Sequence, residues 1–343
     1  MQRKTILKFI LAFALVLLGG LGFGAYVALL APVTPEHETE LKIRRGARLA
    51  QVADSLVARH IIRDRGRFVT AAKVTRTADK LKAGRYIIPP RASNLDLIQL
   101  FASGKAARHR LPIPEGWTSD AIAALLQREL EVDSAAFMTL VNNGETAHSL
   151  GVEASSLDGY LYPDTYQFFW GDSAAEVIGV LVGEFHRRVP DSLRTRAEKL
   201  GIDLHQAITL ASIIEGEAMV DSERAVISAV YWNRLRKGMR LQADPTIQYL
   251  IPGPPRRVLI RDLEIDSPYN TYLHPGLPPG PVNNPGIKSI LAALYPKPVD
   301  YLYFVARGDG AHVFSYTLVQ HNMAKRQFDL DRAKVRASVQ PPG

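Results

Sequence analysis

The chain has 343 residues, 47% of them hydrophobic and 22% charged, which is enough apolar material to bury a complete core and excludes a disordered or collagen-like polymer. It contains no cysteine, so thiolate nucleophiles, disulfides, iron–sulfur clusters and Cys-built zinc sites are excluded together, and chemistry must come from oxygen and nitrogen groups. Its 42 Lys and Arg against 34 Asp and Glu leave a net charge of +8, an excess that suits a lipid headgroup or an acidic polymer and is too small to indicate nucleic acid.

Arg3, Lys4 and Lys8 precede an uncharged run of 23 residues from Phe9 to Ala31. At about 1.5 Å per residue such a helix spans roughly 35 Å, enough to cross the hydrocarbon core with some tilt. The basic flank places residues 1–8 in the cytoplasm as a short tail, 9–31 in the membrane as a single helix, and the remainder across it. A cleaved signal peptide is the alternative, but its apolar region is about 7–15 residues long and ends at an A-x-A-like site, and neither condition is met here. Gly20 and Gly24 form a G-x-x-x-G pair in a stretch that is glycine-rich throughout, so it does not by itself argue for helix dimerisation.

Residues 32–40 are expected to be a short exposed linker. Next, Leu41-Lys42-Ile43 reads as a strand, Gly46 as a turn, and Leu49, Val52, Ala53 and Leu56 as one face of a helix. The pattern recurs 70 residues on, where Ile113, Gly116, Ile122, Ala123 and Leu126 match Ile43, Gly46, Val52, Ala53 and Leu56, so a strand, a glycine turn and an amphipathic helix are used twice. Between the copies, Leu81 to Ile88 before Pro89-Pro90 predicts a turn and strand, and Leu95 to Ala102 a short helix. Residues 41–104 thus form a small α+β unit that resembles a LysM-like carbohydrate-binding module; a plain α+β spacer is the bland alternative.

The segment Leu157 to Tyr166 places aromatic rings beside two carboxylates, a glycine and a proline, and reads as a rigid loop or strand end suited to a sugar site or simply to a folding corner. Leu204 to Glu217 predicts a helix with an apolar face of Ala207, Leu210, Ala211 and Ile214, closed by Glu215 and Glu217. A carboxylate against such a face is desolvated and tends to keep its proton, as a general acid must. Spacing slightly favours Glu217 as the more buried of the two, because it faces Ile213 and Ile214, and leaves a solvated helix end as the alternative.

A further helix is expected with Ser222 as N-cap, Glu223 in its first turn, Asn233 as its polar interior residue and Gly238 as its stop. Arg240 to Tyr249 and Ser267 to Tyr272 read as loops rich in amides, hydroxyls and aromatic tips, which bridge sugar hydroxyls better than they bind phosphate. Gly276 to Pro281 predicts a stiff extended loop, and Tyr301–Ala306 with His312–Tyr316 a hairpin turning at Arg307 to Ala311. No H-E-x-x-H, G-x-S-x-G or P-loop spacing occurs, which leaves metalloprotease, esterase and nucleotide-binding readings without support and implies neither metal nor cofactor.

The strings LDGYLYPDTY, LASIIEGE, SERAVISAVYWNRLRKGMRLQADPTIQY, SPYNTYLHPGLPPGP and YLYFVARGDGAHVFS, in this order behind an anchor, resemble the YceG-like (MltG) endolytic murein transglycosylases over essentially the whole chain. That resemblance implies an α+β fold with a transmembrane helix, the LysM-like module, a catalytic domain over 105–336 and a C-terminal tail over 337–343. It implies a lyase that cuts the β-1,4 bond between MurNAc and GlcNAc in nascent peptidoglycan, leaves 1,6-anhydro-MurNAc ends and terminates strand elongation, at the inner (plasma) membrane beside the penicillin-binding synthases. By the same resemblance Glu215 is the catalytic acid, against the preference of spacing. Glu217, Ser222, Glu223 and Asn233, then Arg240, Gln242, Asp244, Thr246 and Tyr249, then Tyr269, Asn270, Thr271 and Tyr272 are supporting or substrate-binding. Gly216 departs from the charged or polar residue usual between the two glutamates, which puts their relative placement in question. A membrane-anchored scaffold that binds peptidoglycan without cutting it is the alternative from a different class.

Overall fold

The computed structural model describes residues 2–339, so Met1 and residues 340–343 of the expected tail lie outside the described residues. The fold is mixed α+β, with fourteen α-helices and six short strands paired two by two among the described residues. The chain divides into two compact units, Met1–Leu111 with Gln167–Asp172, and Pro112–Tyr166 with Ser173–Gly343.

The first unit begins with α1 (Gln2–Leu29). Within it, Ile10–Leu29 is long and apolar enough to cross a membrane; large side chains such as Phe13 at 66% and Leu21 at 70% are exposed, while Leu29 at its end packs on the core of this unit. Then follow β1 (Thr39–Ile43), α2 (Leu49–Ala58), α3 (Arg65–Val74), β2 (Gly84–Ile88), α4 (Asn94–Ser103) and β3 (Arg108–Pro112). β1 and β2 are antiparallel, with Leu41 opposite Tyr86, so the inward faces of both strands supply Leu41, Ile43, Tyr86 and Ile88 to one core. Helices α2, α3 and α4 close that core with Leu56, Phe68 and Phe101, and Phe101 meets Phe68 and Tyr86 edge to face at centroid distances of 6.4 and 5.0 Å. Asp64 and Ser93 cap α3 and α4 as their residue types favour. The stretch expected as an exposed linker is partly tied down: Thr34 is buried, its hydroxyl donates to Pro89 O and accepts from Ala92 N, and Val33 packs on the core. The reason is local, since the backbone that follows the Pro89-Pro90 stop offers groups for residues 32–34 to pair with.

The second unit contains α5 (Ser119–Leu130), α6 (Ser134–Val141) and α7 (Gly144–Ser149), after which the chain returns to the first unit from Gln167 in β4 (Thr165–Phe169), the strand paired with β3. It continues with α8 (Ala174–Arg188), α9 (Asp191–Lys199), α10 (Leu204–Glu217), α11 (Arg224–Arg236), α12 (Asp244–Leu250) and α13 (Ile287–Leu294). The hairpin of β5 (Tyr303–Ala306) and β6 (His312–Ser315) and the helix α14 (Leu318–Val339) complete it, so 337–339 of the expected tail are helical. The central element is α10, in which every residue from Ala207 to Ile214 is buried, with α13 and α11 packed beside it. Burial on all sides explains why its sequence is apolar around the whole helix rather than along one stripe.

The internal repeat is present in the structure. Ile43, Val52, Ala53 and Leu56 are buried in the first copy and Ile113, Ile122, Ala123 and Leu126 in the second, with Gly46 and Gly116 at φ of 77° and 76°. A left-handed turn at both positions is what admits glycine at the same place twice.

Two expectations for local structure need correction. Ser222 is not an N-cap: it lies in a 3₁₀ turn, Asp221–Glu223, which runs straight into α11, and the residue before that helix, Glu223, caps nothing. Arg240 to Tyr249 is not wholly a loop, because Pro245 at the first turn of α12 starts a helix where its missing N–H costs nothing. Phe101 is fully buried between two rings, so Phe101→Ala in the detergent-solubilised chain should lower stability by about 3–5 kcal/mol in urea denaturation, and a loss under about 1 kcal/mol would show that the ring stack is dispensable.

Candidate active site

Glu215 stands in the last turn of α10 with its side chain only 6% exposed. Both carboxylate oxygens are held. Oε1 accepts from Arg224 Nη1 at 2.9 Å, and Oε2 accepts from the backbone N–H of Gly286 at 3.0 Å. Arg224 is the first residue of α11, 7% exposed, and also donates to Ser289 Oγ at 2.5 Å and to Asp221 at 3.1 Å. A cation in the first turn of a helix opposes the helix dipole, and the carboxylates in front of it compensate. Asp221 is held ionised by Lys288 and Arg224, which press its carboxyl below the usual range.

A second carboxylate, Glu115, belongs to the same cluster. It precedes Gly116, whose Cα faces Glu215: a β-carbon built there would stand 3.4 Å from Glu215 Cγ. A β-carbon on Gly286 would fall 1.9 Å from Glu115 Oε1, so Glu115 lies directly over the glycine whose N–H serves Glu215. Burial, then the charge of Glu215, pushes the Glu115 carboxyl above its ordinary range.

Glu217 looks elsewhere. Two residues along a helix is a turn of about 200°, and its Oε1 accepts from Tyr231 OH at 3.0 Å. Its carboxyl is pushed up to about 7, first by burial and then by Asp244, against the lowering effect of the Tyr231 hydrogen bond. Asp244 in turn accepts from Tyr272 OH at 2.6 Å. The more strongly desolvating surroundings that spacing expects for Glu217 are therefore present, but in a cluster of Tyr231, Asp244, Tyr272 and Arg234. Gly216 is what lets α10 end there, because a β-carbon would come within 2.7 Å of Pro245 at the start of α12. A larger residue at this position requires α12 to withdraw.

The loops beneath α10 are pinned by buried amides. Asn284 Oδ1 accepts from the N–H groups of Gly159 and Leu161, both at 3.0 Å, while its Nδ2 donates to Trp117 O at 2.9 Å. Asn283 Nδ2 donates to Ser212 O at 2.8 Å, and Ser212 Oγ accepts from Val282 N at 3.0 Å. The aromatic segment at 157–166, the turn carrying Glu115 and the glutamate helix are thereby fixed to one another.

The other residues expected at the site divide by environment. Asn233 Nδ2 donates to Val299 O and Tyr301 O, and Asn270 Nδ2 to Leu263 O and Ile265 O, so these amides close loops. Thr246 and Thr271 are fully buried with their hydroxyls 2.9 Å apart. Glu223 ties down the hairpin, its Oε1 accepting from His312 N and its Oε2 meeting Nδ1 at 2.8 Å. Arg240 and Gln242 are exposed; Arg240 donates to Tyr272 O, and Gln242 holds a left-handed φ of 50°. That conformation is costly for a side chain other than glycine and is kept where surrounding structure enforces it. Tyr249 and Tyr269 face each other at 4.8 Å beside the half-buried Asp158, which takes a hydrogen bond from Ser119. Sequence reasoning passes over Arg224, Glu115 and Ser289. The signal for the first is a lone cation opening a helix, and for the second a carboxylate at the repeat position where the first copy carries Arg45.

Glu217 predicts a pH effect on stability. An unfolded Glu loses its proton near 4.3, whereas the folded Glu217 keeps it to about 7, so unfolding releases a proton in that window. Its contribution to stability is therefore full below about pH 4 and falls as pH rises toward 7. In urea denaturation at pH 5 and 8, Glu217→Gln should lose less stability with rising pH than the unaltered chain; equal losses would show that Glu217 does not hold its proton in the fold.

The YceG-like family matches residues 41–327. The chain is 33% identical over 320 residues to the endolytic murein transglycosylase of Bacillus subtilis, covering 88% of each chain. It is 27% identical over 339 residues to the endolytic murein transglycosylase of Streptococcus pneumoniae, covering 89% of this chain and 61% of that one. A crystal structure of a yceG-like protein from Listeria monocytogenes superposes with a TM-score of 0.59 at 33% identity, over 83% of this chain and 98% of that chain. With the family spanning both units and a relative of this identity matched along most of its length, the chain belongs to the YceG-like family.

Proposed function

We propose that this protein is a membrane-anchored lytic transglycosylase of peptidoglycan in which Glu215 is the acid and then the base. The observation that carries the reading is the Glu215 carboxyl group, nearly buried at the end of α10 and oriented through both oxygens by Arg224 and Gly286 N–H, in a chain whose relatives are murein transglycosylases. Hydrolytic glycosidases ordinarily need two carboxylates in separate roles. A lytic transglycosylase needs one. Glu215 gives a proton to the glycosidic oxygen as the bond from C1 of MurNAc breaks, then takes the proton of the C6 hydroxyl as O6 closes on C1. The product is a 1,6-anhydro end, formed without water, and the enzyme regains the proton it spent.

The bond cut is the β-1,4 link between MurNAc and GlcNAc within nascent strands, so that cutting ends strand growth beside the peptidoglycan synthases. Tyr249, Tyr269 and Tyr272 offer ring faces and hydroxyls to sugars, and Gln242 and Arg240 are accessible at the surface near Tyr272. Residues 41–104 act as a LysM-like glycan holder, and the catalytic domain takes residues 105–336. Ile10–Leu29 crosses the inner membrane once, with the basic N-terminal residues in the cytoplasm and the rest outside it.

Glu215→Gln keeps size and hydrogen-bonding shape but cannot deliver a proton. Mass spectrometry of digested glycan strands should show anhydro ends, lighter by one water than hydrolysed ends, falling by about 10²–10⁴-fold in rate while strand binding persists. Undiminished anhydro ends from Glu215→Gln would move the acid elsewhere, and glycan left intact by the unaltered protein would leave only the scaffold reading. For the anchor, carbonate-washed membranes should retain the full-length chain, and recovery of a soluble product starting near Pro32 would refute a permanent span.

A further inference from the structure

The turn that carries Glu115 also carries Trp117, whose setting differs from that of the other two tryptophans in the chain. Trp232 is buried, and its indole N–H donates to Ala293 O at 2.8 Å. Trp170 is also buried, with the Lys42 ammonium 5.3 Å from its ring centre. Trp117 is only half-buried, and among the described residues its indole has no hydrogen bond, ring contact or cation contact. Its backbone, in contrast, is fixed: Trp117 O accepts from Asn284 N and Asn284 Nδ2, both at 2.9 Å, and Asn284 O accepts from Gly116 N at 2.9 Å. The next residue, Thr118, caps α5 by accepting from Ala121 N. On the other side Gly116 has a φ of 76°, and a β-carbon built there would stand 3.4 Å from Glu215 Cγ. A rigid backbone thus presents a partly uncovered indole one residue from the point of closest approach to the acid.

We propose that Trp117 is the platform of a sugar subsite beside Glu215, on which one pyranose ring of the strand lies while the indole N–H donates to a sugar oxygen. The inference rests on Glu215 being the acid. An indole offers a broad apolar face with a polar edge, which matches the C–H face and the oxygens of a pyranose. Held on a fixed backbone it has two side-chain torsions to order, so little conformational freedom is lost when a ligand covers it. A neutral sugar suits the place better than a phosphate or a free carboxylate, because the turn itself, Glu115 to Thr118, carries an acceptor for hydroxyl groups and no cation. Stacking of this kind holds the ring before and during bond breaking alike, so its loss falls on KM rather than on kcat.

The test uses the full-length protein in detergent with purified peptidoglycan glycan strands. Trp117→Ala should raise KM for anhydro-end formation about tenfold while kcat changes less than about threefold, and Trp117→Tyr, which keeps a ring and a polar tip, should recover most of the loss. The second measurement is tryptophan fluorescence in Glu215→Gln, which binds strands without cutting them. Adding strands should change the emission, and the change should vanish in Glu215→Gln combined with Trp117→Phe, since Trp170 and Trp232 are enclosed by protein. An unaltered KM in Trp117→Ala, a loss confined to kcat, or a fluorescence response that is absent from Glu215→Gln with strands bound or survives Trp117→Phe overturns the platform. If Trp117→Ala does not fold, the fluorescence pair decides by the same criterion. Full activity in Glu215→Gln, or strands that the unaltered protein neither binds nor cuts, would instead defeat the reading of the acid and of the reaction, whereas an inactive Glu215→Gln beside an unaltered KM in Trp117→Ala removes only the inference made here.

Discussion

A carboxyl group with 6% exposure at the end of a buried helix needs a hydrogen-bond partner at each oxygen, because a polar group removed from water and left unpaired costs more than a fold can spare. In this protein Arg224 and the N–H of Gly286 meet that need, and much of the second unit is arranged so that they can. Arg224 must open α11 at the level where α10 ends, which the 3₁₀ turn over Asp221–Glu223 achieves by reversing the chain in few residues. Gly286 must stand at the start of α13, which packs along α10. Buried guanidinium, carboxylate and serine hydroxyl satisfy one another, and removing any one of them leaves the others unpaired in a poorly solvated place.

Close approach of backbone is the second device. At Gly216 the helix end comes against the Pro245 ring, where a β-carbon has nowhere to go, and at Gly286 the backbone comes under the Glu115 side chain, which would have to swing aside for one. These glycines are explained by proximity rather than by unusual torsion angles, since neither has a positive φ. The consequence at Gly216 is that α12 sits tight beneath the glutamates and brings Asp244 toward Glu217. Gly216 thus has a packing partner in this chain, the Pro245 ring.

The two glutamates of the E-x-E string divide their work by direction. One faces cations and a backbone donor, the other faces tyrosines and Asp244. Glu217 is consequently a group that holds its proton to about pH 7 in a tyrosine-lined cluster beside Asp244. Proximity along a helix is not proximity in space when the separation is two residues.

Local pattern alone determined a good deal. The span Leu204 to Glu217 has the same limits as a sequence pattern and as a helix, the apolar run at the N-terminus is a single long helix, and the duplicated strand, glycine turn and helix occur as two copies. Periodicity, turn chemistry and length are properties of neighbouring residues, so the sequence carries them whole. The loop reading failed at Asp244–Leu250 because a seven-residue helix with proline in its first turn leaves almost no periodic signal. Partners were legible only through family likeness or not at all. Glu115 lies 100 positions from Glu215, and Gly286 another 71 beyond it, and no local rule connects them. Which carboxylate faces which charge was decided by how α10, α11 and α13 pack, because electrostatic coupling depends on distance in space and on the water excluded between groups, and both exist only once the chain has folded.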